Sequence, residues 1–279
     1  MAQVRIITDS ASDIPLDIAE RLHIDVVPLT IRFGDEEFVD RFGITPQQFW
    51  EKCASSPVLP ETAAPAPGAF QAAYEKAAAD GASAVVVVAL SAELSATHQS
   101  ASLAAEAVKG TIDVRVVDSQ AVTMAEGLIA IDLAERAAAG ASVDELYERG
   151  VALSQKTGVA GTIDTLDHLI KGGRLKGAKA IFGSVLSIKP LLELKDGVVA
   201  EAGRARTRSK AFGALVEKIK AAGAIDRVAV THGNASDVQI LVDMLKDIPT
   251  AHPLIVGDIG STVGTHGGPG IVGLAWVRA

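Results

Sequence analysis

Two hydroxyl-bearing segments and one histidine-bearing segment carry residue types that binding and catalysis often need. Ser95 follows the apolar run at residues 84–90 by a few positions, and Thr62 lies in a proline-rich segment. His266 lies in GTHGGPG at residues 264–270, where glycines let backbone N–H groups approach a ligand closely. Neutral hydroxyls and amides of this kind hold an anion such as a carboxylate without an arginine.

The same residue types also suit nucleophilic catalysis, and this alternative stays open at the level of sequence. A hydrolase or phosphotransferase would use Ser95 or Thr62 as the nucleophile and His266 as the base. No G-x-S-x-G motif is present to expose a serine at a strand-to-helix turn. A simpler alternative is that Ser95 or Thr97 only caps the helix predicted over residues 97–108.

Two clusters of cations stand out on an acidic chain. The sequence has 26 Lys and Arg against 34 Asp and Glu, a formal net charge of −8. This charge works against binding to phosphate backbones, so we expect no nucleic-acid partner, although a regulatory nucleic-acid binder remains an alternative. The clusters favour docking of an acidic partner, with Arg174 and Arg206 as candidates. The clusters comprise Lys171, Arg174, Lys176 and Lys179, and Arg204, Arg206, Arg208 and Lys210.

The sequence predicts neither a metal site nor a cofactor. The six histidines form no i, i+4 pair of the kind that binds zinc on a helix, and Cys53 is the only cysteine. Residues 268–273 match G-x-G-x-x-G, but too few residues follow for the helix that a dinucleotide site needs. Residues 172–177 begin like a P-loop and lack its lysine. Aspartates near predicted strand ends favour capping over acid–base chemistry or magnesium binding. They are Asp9, Asp13, Asp118, Asp164 and Asp258.

The elements that would position these residues alternate along the chain. Short apolar runs rich in β-branched residues alternate with longer helical patterns, which predicts an α/β fold with parallel or mixed sheets flanked by helices. The length of 279 residues, with 48% hydrophobic and 22% charged residues, suits two globular domains. We place them at residues 1–157 and 158–279. In such sheets the loop after a parallel strand is the usual ligand position, which favours the loop of Ser95.

Several segments lack a clear helical or strand pattern. Residues 56–68, with four prolines, are predicted to form a loop, and residues 259–270 a glycine-rich loop that carries His266. Residues 180–187 are apolar and predict a helix. The uncharged stretch 259–277 contains six glycines and a proline, which indicates a buried loop and strand rather than a membrane span. With no signal peptide pattern at the N-terminus, we expect a cytoplasmic protein without integral membrane association.

The combination of motifs resembles the DegV family, bacterial fatty-acid-binding proteins that serve a fatty acid kinase. The resemblance covers essentially the whole chain, and the order of the motifs makes it specific although each motif alone is weak. The motifs are TDSASD at residues 8–13, TAAPAPG at 62–68, LSATHQSA at 94–101, VDS at 117–119, LIKGGR at 169–174, KP at 189–190, RTR at 206–208 and GTHGGPG at 264–270.

The resemblance implies a long-chain fatty acid between or within two α/β domains. In the family, the hydroxyls that match Thr62 and Ser95 and the imidazole that matches His266 hold the carboxylate, while the acyl chain enters an apolar tunnel. A separate fatty acid kinase subunit phosphorylates the bound lipid for phospholipid metabolism, so the chain itself is expected to bind lipid and not to be an enzyme. The sequence departs from the family pattern at several positions: Ala96 and Arg41 stand where the family usually has glycine, Ala63 and Ala64 replace polar residues, and residues 122–127 differ as well.

Overall fold

The computed structural model describes residues 4–175 and 188–279. The helix predicted over residues 180–187, together with Lys176 and Lys179 of the first cationic cluster, lies outside these described residues. Helices and strands alternate along most of the described chain, and the fold is the mixed α/β fold that the sequence predicts.

The described residues contain thirteen strands in three sheets, together with ten α-helices. The strands are β1 (Arg5–Asp9), β2 (Ile24–Val27), β3 (Thr30–Phe33), β4 (Glu36–Val39), β5 (Glu61–Ala63), β6 (Ala84–Ala89), β7 (Asp113–Asp118), β8 (Thr157–Thr162), β9 (Lys189–Lys195), β10 (Val198–Ala205), β11 (Ile225–His232), β12 (Ile255–Asp258) and β13 (Val272–Arg278). The helices are α1 (Leu16–Arg21), α2 (Pro46–Ser55), α3 (Pro67–Ala79), α4 (Thr97–Ala107), α5 (Met124–Ala138), α6 (Val143–Ser154), α7 (Asp167–Lys171), α8 (Arg208–Ala221), α9 (Val238–Leu245) and α10 (Ser261–Gly267). No helix within these described residues is long and apolar enough to span a lipid bilayer.

The first sheet is parallel and has the strand order β2-β1-β6-β7. Strand β6, with the sequence AVVVVA, is buried along its whole length because helices cover both faces of the sheet. Val85 and Val87 belong to the core that contains Phe70 of α3, whereas Val86 and Val88 belong to the core that contains α5. The uninterrupted apolar run that predicts this strand therefore reflects burial on two faces.

The second sheet is mixed and has the order β10-β9-β8-β13-β11-β12. Helices α8 and α9 cover one face, where Phe212 and Leu241 are fully buried. Helix α5 packs against this sheet as well as the first one, and most of its residues are buried. The strands of the first sheet all precede Thr157, and those of the second sheet begin there. The division into two domains at residues 157 and 158 stays a prediction, since α5 packs against strands of both sheets.

A small antiparallel sheet with the order β4-β3-β5 carries Thr62. The sequence predicts a loop over residues 56–68, but β5 forms within it and places Thr62 opposite Ile31. A short edge strand tolerates flanking prolines, because only one of its sides has to hydrogen-bond to a neighbour. The strand pairing fixes the backbone of Thr62, which a free loop would not do.

The glycine-rich segment that carries His266 is a helix rather than the predicted loop. This helix, α10, spans Ser261–Gly267. A Cβ atom at Gly264 would lie 2.8 Å from the ring of Phe49 and 2.9 Å from that of Trp50, so glycine permits close packing. The low helix propensity of glycine favours a loop in sequence-based prediction, but burial against two aromatic rings determines the observed conformation.

Candidate functional site

A cavity lies between the first and second sheets, beside the carboxyl ends of the parallel strands. Together with its mouth, which is open to solvent, it contains about 930 Å³ of empty space. The lining is mainly aliphatic, so the cavity suits a long apolar ligand. Lining residues from both sides include Leu29, Leu90, Leu94, Val159, Leu192 and Val199.

The structure brings together the three side chains that the sequence predicts to bind a carboxylate. Thr62 from β5, Ser95 from the loop between β6 and α4, and His266 from α10 all line this cavity. Oγ1 of Thr62 and Nε2 of His266 are 3.0 Å apart and form a hydrogen bond. Three separate elements therefore place two hydroxyls and one imidazole on the wall of an otherwise apolar cavity.

Ser95 is held by its own loop and does not act as a helix cap. Its Oγ lies 2.9 Å from Oγ1 of Thr97 and accepts from the backbone N–H of Thr97 at 3.3 Å. The N-cap of α4 is Ala96, which makes no side-chain capping hydrogen bond. Ala96 has φ −74° and ψ 4°, a conformation open to any residue, so the loop does not require the glycine expected from the family. Ser95 stays directed to the cavity beside the N-terminus of α4.

Arg174 lines the same cavity, which differs from the exposed position that the sequence predicts for it. The side chain is half-buried because both ends of its guanidinium group are bonded to backbone. Nε donates to the carbonyl oxygen of Leu94 at 3.2 Å, and Nη1 donates to that of Gly172 at 2.8 Å. A role for Arg174 as a separate docking residue stays a prediction, but its position makes it part of the cavity wall.

Arg206 lies apart from the cavity, between β10 and α8, and is exposed. Within residues 4–175 and 188–279, no ion pair or hydrogen bond of its side chain is present. Arg208, two residues further on, is bound to Asp237 through Nε at 2.7 Å and Nη2 at 2.8 Å. The RTR segment therefore contains one arginine that stabilises the fold and one that is available to a partner.

His266 is uncharged at neutral pH. Burial, together with smaller contributions from the charges of Arg174 and His168, lowers the pKa of its imidazole to about 4. Nδ1 is buried and has no hydrogen-bond partner among the described residues. Because Nε2 is hydrogen-bonded to the hydroxyl of Thr62, the imidazole and this hydroxyl form one polar pair on the cavity wall.

Two aspartates hold the N-terminus of α10 and so determine where His266 lies. Asp40 accepts hydrogen bonds from the hydroxyls of Ser10 at 2.8 Å and Thr262 at 2.6 Å, and from the N–H of Ser261 at 3.2 Å. Asp13 accepts from the N–H of Gly260 at 2.8 Å. These contacts join the first 40 residues to the last 20, and sequence analysis did not identify Asp40 as important to the site.

Asp9 and Glu126 complete what we call the carboxyl cluster, which consists of Asp9, Asp13, Asp40 and Glu126 and is closed to solvent. Burial raises the pKa of Asp9 to about 6 and that of Asp13 to about 7. Burial and the neighbouring Asp9 raise the pKa of Glu126 well above its usual range. Its Oε1 accepts from the hydroxyl of Thr8 at 2.9 Å.

Arg41 places a cation beside the carboxyl cluster. Its φ of 68° lies in the left-handed region, where the glycine expected from the family would be unstrained. The guanidinium is nearly buried, with Nη1 3.9 Å from Oδ1 of Asp13. Thr123, which donates to Oδ2 of Asp13 at 2.6 Å, also has a positive φ of 54°. Arg41 and Thr123, both with positive φ, therefore contact the same carboxylate, that of Asp13. These contacts hold the backbone in a conformation that non-glycine residues rarely adopt.

The carboxyl cluster is a structural anchor in this fold. Across the described chain, no group of three or more His, Cys, Asp or Glu side chains is arranged to hold a metal ion. Its oxygens instead accept from backbone N–H groups and hydroxyls, including the N–H of Leu90 at the end of β6. The capping role predicted for Asp9 is present too, since it accepts from the N–H of Ala11 at 2.9 Å.

Comparison with known sequences matches the chain over nearly all of its length. A family model described as "Uncharacterised protein, DegV family" covers residues 3–279. A DegV domain-containing protein of Streptomyces coelicolor is 38% identical over 276 residues, which is 97% of each chain. A DegV domain-containing protein of Clostridium acetobutylicum is 32% identical over 98% of each chain.

Solved structures show the same fold. A DegV family protein from Thermus thermophilus, described by its fatty acid binding, has a TM-score of 0.91 at 31% identity and covers 99% of this chain and 100% of its own. DegV of Bacillus subtilis, described as a fatty acid binding protein, has a TM-score of 0.90 at 29% identity, with 100% of both chains covered. On the match of sequence, fold and motifs along its length, the chain belongs to the DegV family.

Proposed function

We propose that the protein binds one long-chain fatty acid in the cavity between its sheets and presents the carboxyl group to a separate fatty acid kinase. The observation that carries this proposal is the placement of Thr62, Ser95 and His266 on the wall of an aliphatic cavity. The two solved DegV structures described as fatty acid binding support it.

The hydrogen bond between His266 and Thr62 suggests how the carboxylate is held. A buried N–H group without an acceptor costs more free energy than a buried acceptor without a donor. Since Nδ1 has no partner among the described residues, the proton of the neutral imidazole lies on Nε2. Nε2–H then donates to Oγ1 of Thr62, and the Thr62 hydroxyl keeps its own proton for the carboxylate. Ser95 provides the second hydroxyl. Arg174 adds a positive potential at this end of the cavity.

The acyl chain supplies most of the favourable free energy. Burial of an apolar chain contributes about 0.8 kcal/mol per CH₂ group, so a long chain gains far more from the aliphatic lining than the carboxylate gains from three polar side chains. The hydroxyls therefore fix the orientation of the lipid, with its carboxyl group toward Thr62 and Ser95.

A second recess gives the carboxyl group a route to a partner. Ala92, Gly173 and Val198 line it together with Leu94, Ser95 and Arg174, and the last three also line the cavity. A ligand carboxylate bound near Ser95 would thus face an opening, while its chain stays enclosed. This arrangement supports presentation of the lipid without its release.

Native mass spectrometry of the freshly purified protein tests this function, followed by solvent extraction of whatever is released. We expect about one fatty acid per chain, and uptake of added palmitate or oleate after delipidation. Ser102→Ala is a suitable control, since Ser102 bonds to the carbonyl oxygen of His98 within α4 and does not line the cavity. A protein that neither carries nor takes up an acyl chain would contradict the proposal.

A Ser- or Thr-dependent hydrolase remains the alternative, and a kinetic experiment separates the two. In a triad, a third group orients the base, whereas the described residues provide no hydrogen-bond partner for Nδ1 of His266. We therefore expect no burst with nitrophenyl esters. A burst abolished by Ser95→Ala would support the hydrolase instead.

A further inference from the structure

Gly172, in the turn that follows α7, contacts two polar side chains of the cavity wall, those of His266 and Arg174. A Cβ atom at Gly172 would overlap with Nδ1 of His266 and would lie 2.9 Å from the carbonyl oxygen of His168. The carbonyl oxygen of Gly172 accepts from Arg174 at 2.8 Å, and Arg174 donates onward to Leu94, the residue before Ser95. One turn therefore contacts both the imidazole and the loop of the second hydroxyl.

The backbone does not explain why residue 172 is a glycine. Its φ of −71° and ψ of −8° are ordinary right-handed values that alanine adopts without strain. The neighbouring Gly173 differs, since its φ is +70° and no atom of the described residues lies within 4 Å of a Cβ placed there. Gly173 is required by its conformation, whereas Gly172 is required by the imidazole that occupies the space of a side chain.

We propose that Gly172 is a positioning residue for the bound carboxylate, and that its lack of a side chain lets His266 stand with Nε2 at Thr62. The proposal rests on the proposed fatty acid site and adds a residue that does not itself touch the ligand. The imidazole lies between two residues: Gly172 is packed against Nδ1, and Thr62 is hydrogen-bonded to Nε2 on the opposite side of the ring. A methyl group at residue 172 pushes the ring forward or rotates it, and either movement breaks the 3.0 Å hydrogen bond.

Loss of that hydrogen bond has a defined consequence for binding. Oγ1 of Thr62 would then lose the donor that orients it, and its hydroxyl would no longer have a fixed direction toward the carboxylate. A hydrogen bond to a charged group contributes roughly 1.5–3 kcal/mol, so a misdirected Thr62 hydroxyl corresponds to about tenfold or more in affinity. We expect Gly172→Ala to weaken palmitate binding by about that factor, measured by calorimetry on delipidated protein.

A double-mutant cycle with His266→Ala gives a readout that general destabilisation does not reproduce. Without the imidazole, only the 2.9 Å approach to the carbonyl oxygen of His168 remains, so Gly172→Ala should reduce affinity and thermal stability much less in the His266→Ala background than in the wild type. This comparison holds even if Gly172→Ala alone fails to fold, because the double variant should then be more stable than Gly172→Ala. Gly173→Ala is the matched control, as it strains the backbone equally in both backgrounds.

Nitrogen NMR of His266 in lipid-free protein tests the packing without any ligand. We expect the Nε2–H tautomer in the wild type and a changed Nε2 shift in Gly172→Ala, but not in Gly173→Ala. Palmitate affinity of Gly172→Ala within twofold of the wild type, or additive effects of Gly172→Ala and His266→Ala, would overturn the inference. If the wild type binds no fatty acid, the proposed function fails instead, and the NMR result still decides whether Gly172 positions the ring.

Discussion

The two ends of helix α10 lie in polar regions that differ in charge, exposure and hydrogen bonding. At the N-terminal end, the carboxyl cluster is closed to solvent, and Asp40 alone accepts three hydrogen bonds. At the other end, His266 is half-buried and neutral, and it faces a cavity together with two hydroxyls. In the first region Asp13 and Asp40 are bonded to protein donors through all four carboxyl oxygens, whereas in the second the two hydroxyls keep donor capacity for a ligand.

This difference shows how buried polar residues that hold the fold are distinguished from those that bind a ligand. The oxygens of Asp13 and Asp40 are already used by N–H and hydroxyl groups of the protein. Thr62 has one internal partner, His266, and its remaining hydrogen-bonding capacity points to an aliphatic space. Substitutions in the first region should therefore reduce stability, and those in the second should reduce affinity.

The largest effect is expected from Asp40→Ala. It removes the acceptor for two hydroxyls and one N–H, all buried, and each unsatisfied group costs about 1–3 kcal/mol. We expect the free energy of unfolding in urea to fall by about 3 kcal/mol or more. Asp258→Ala is the control, since its side chain is 62% exposed and lies near the same helix. A loss for Asp40→Ala no larger than that of the control would remove the anchoring role.

Thr62→Ala, Ser95→Ala and His266→Ala should show the opposite pattern. Each should weaken fatty acid binding by about ten- to hundredfold, with less than about 1 kcal/mol change in unfolding free energy. Because Thr62 and His266 share a hydrogen bond, their effects should be strongly coupled in a double-mutant cycle, whereas Ser95 should be more nearly additive with either. Unchanged affinity in all three variants, with intact circular dichroism, would place the carboxylate elsewhere.

The pH dependence of stability should have opposite signs at the two ends of α10. Asp9 and Asp13 have folded-state pKa values raised from 3.8 to about 6 and 7, so the folded protein binds more protons and stability falls as pH rises from about 4 to 7. His266 has its pKa lowered from 6.5 to about 4, so the unfolded chain binds more protons, and this group adds stability as pH rises from 4 to 6.5.

Two variants separate these contributions in urea titrations between pH 5 and pH 8. Glu126→Gln removes a group whose raised pKa makes stability fall with pH, so its stability should decline less steeply than that of the wild type. His266→Ala removes the opposing group and should make the decline below pH 6.5 steeper. One proton corresponds to a slope of up to about 1.4 kcal/mol per pH unit. Parallel curves for the wild type and Glu126→Gln would contradict the raised pKa of Glu126.

The sequence predicts much of the first sheet and of the site, for identifiable physical reasons. The all-valine core of β6 indicates a strand buried on both faces, and the hydroxyl-bearing loop after it follows from the geometry of parallel sheets. The three residues that we propose to bind the carboxylate were grouped through the family resemblance and not through their spacing, because Thr62 and His266 are 204 positions apart. Their contact depends on tertiary packing that no local pattern encodes.

The errors of sequence-based prediction lie where tertiary packing overrides local preference. Helix α10 has a glycine at residue 264 because Phe49 and Trp50 approach it closely. Asp40 has no special local context, yet it receives hydrogen bonds from residues more than 200 positions away. Arg174 carries a charge that predicts exposure, but two backbone carbonyls draw it into the cavity wall. Each error concerns a partner that is remote in sequence or supplied by backbone.

The smallest effect on lipid affinity is expected from Arg206→Glu, which tests a surface that belongs to neither end of α10. Arg206 is exposed and does not line the cavity, and ordinary salt screens charges over roughly 10 Å. Fatty acid affinity should therefore change by less than about 0.5 kcal/mol.

If Arg206 docks the kinase, acyl-phosphate formation at limiting protein and saturating lipid should slow, and its dependence on salt should weaken. Lys210→Glu is the matched control, as it reverses an exposed charge in the same segment. Arg174→Glu is not a clean test, since Arg174 lines both the cavity and the recess. Equal kinase rates for Arg206→Glu and the wild type would exclude docking at Arg206, and a large loss of lipid affinity would mean that the binding site extends beyond the cavity described above.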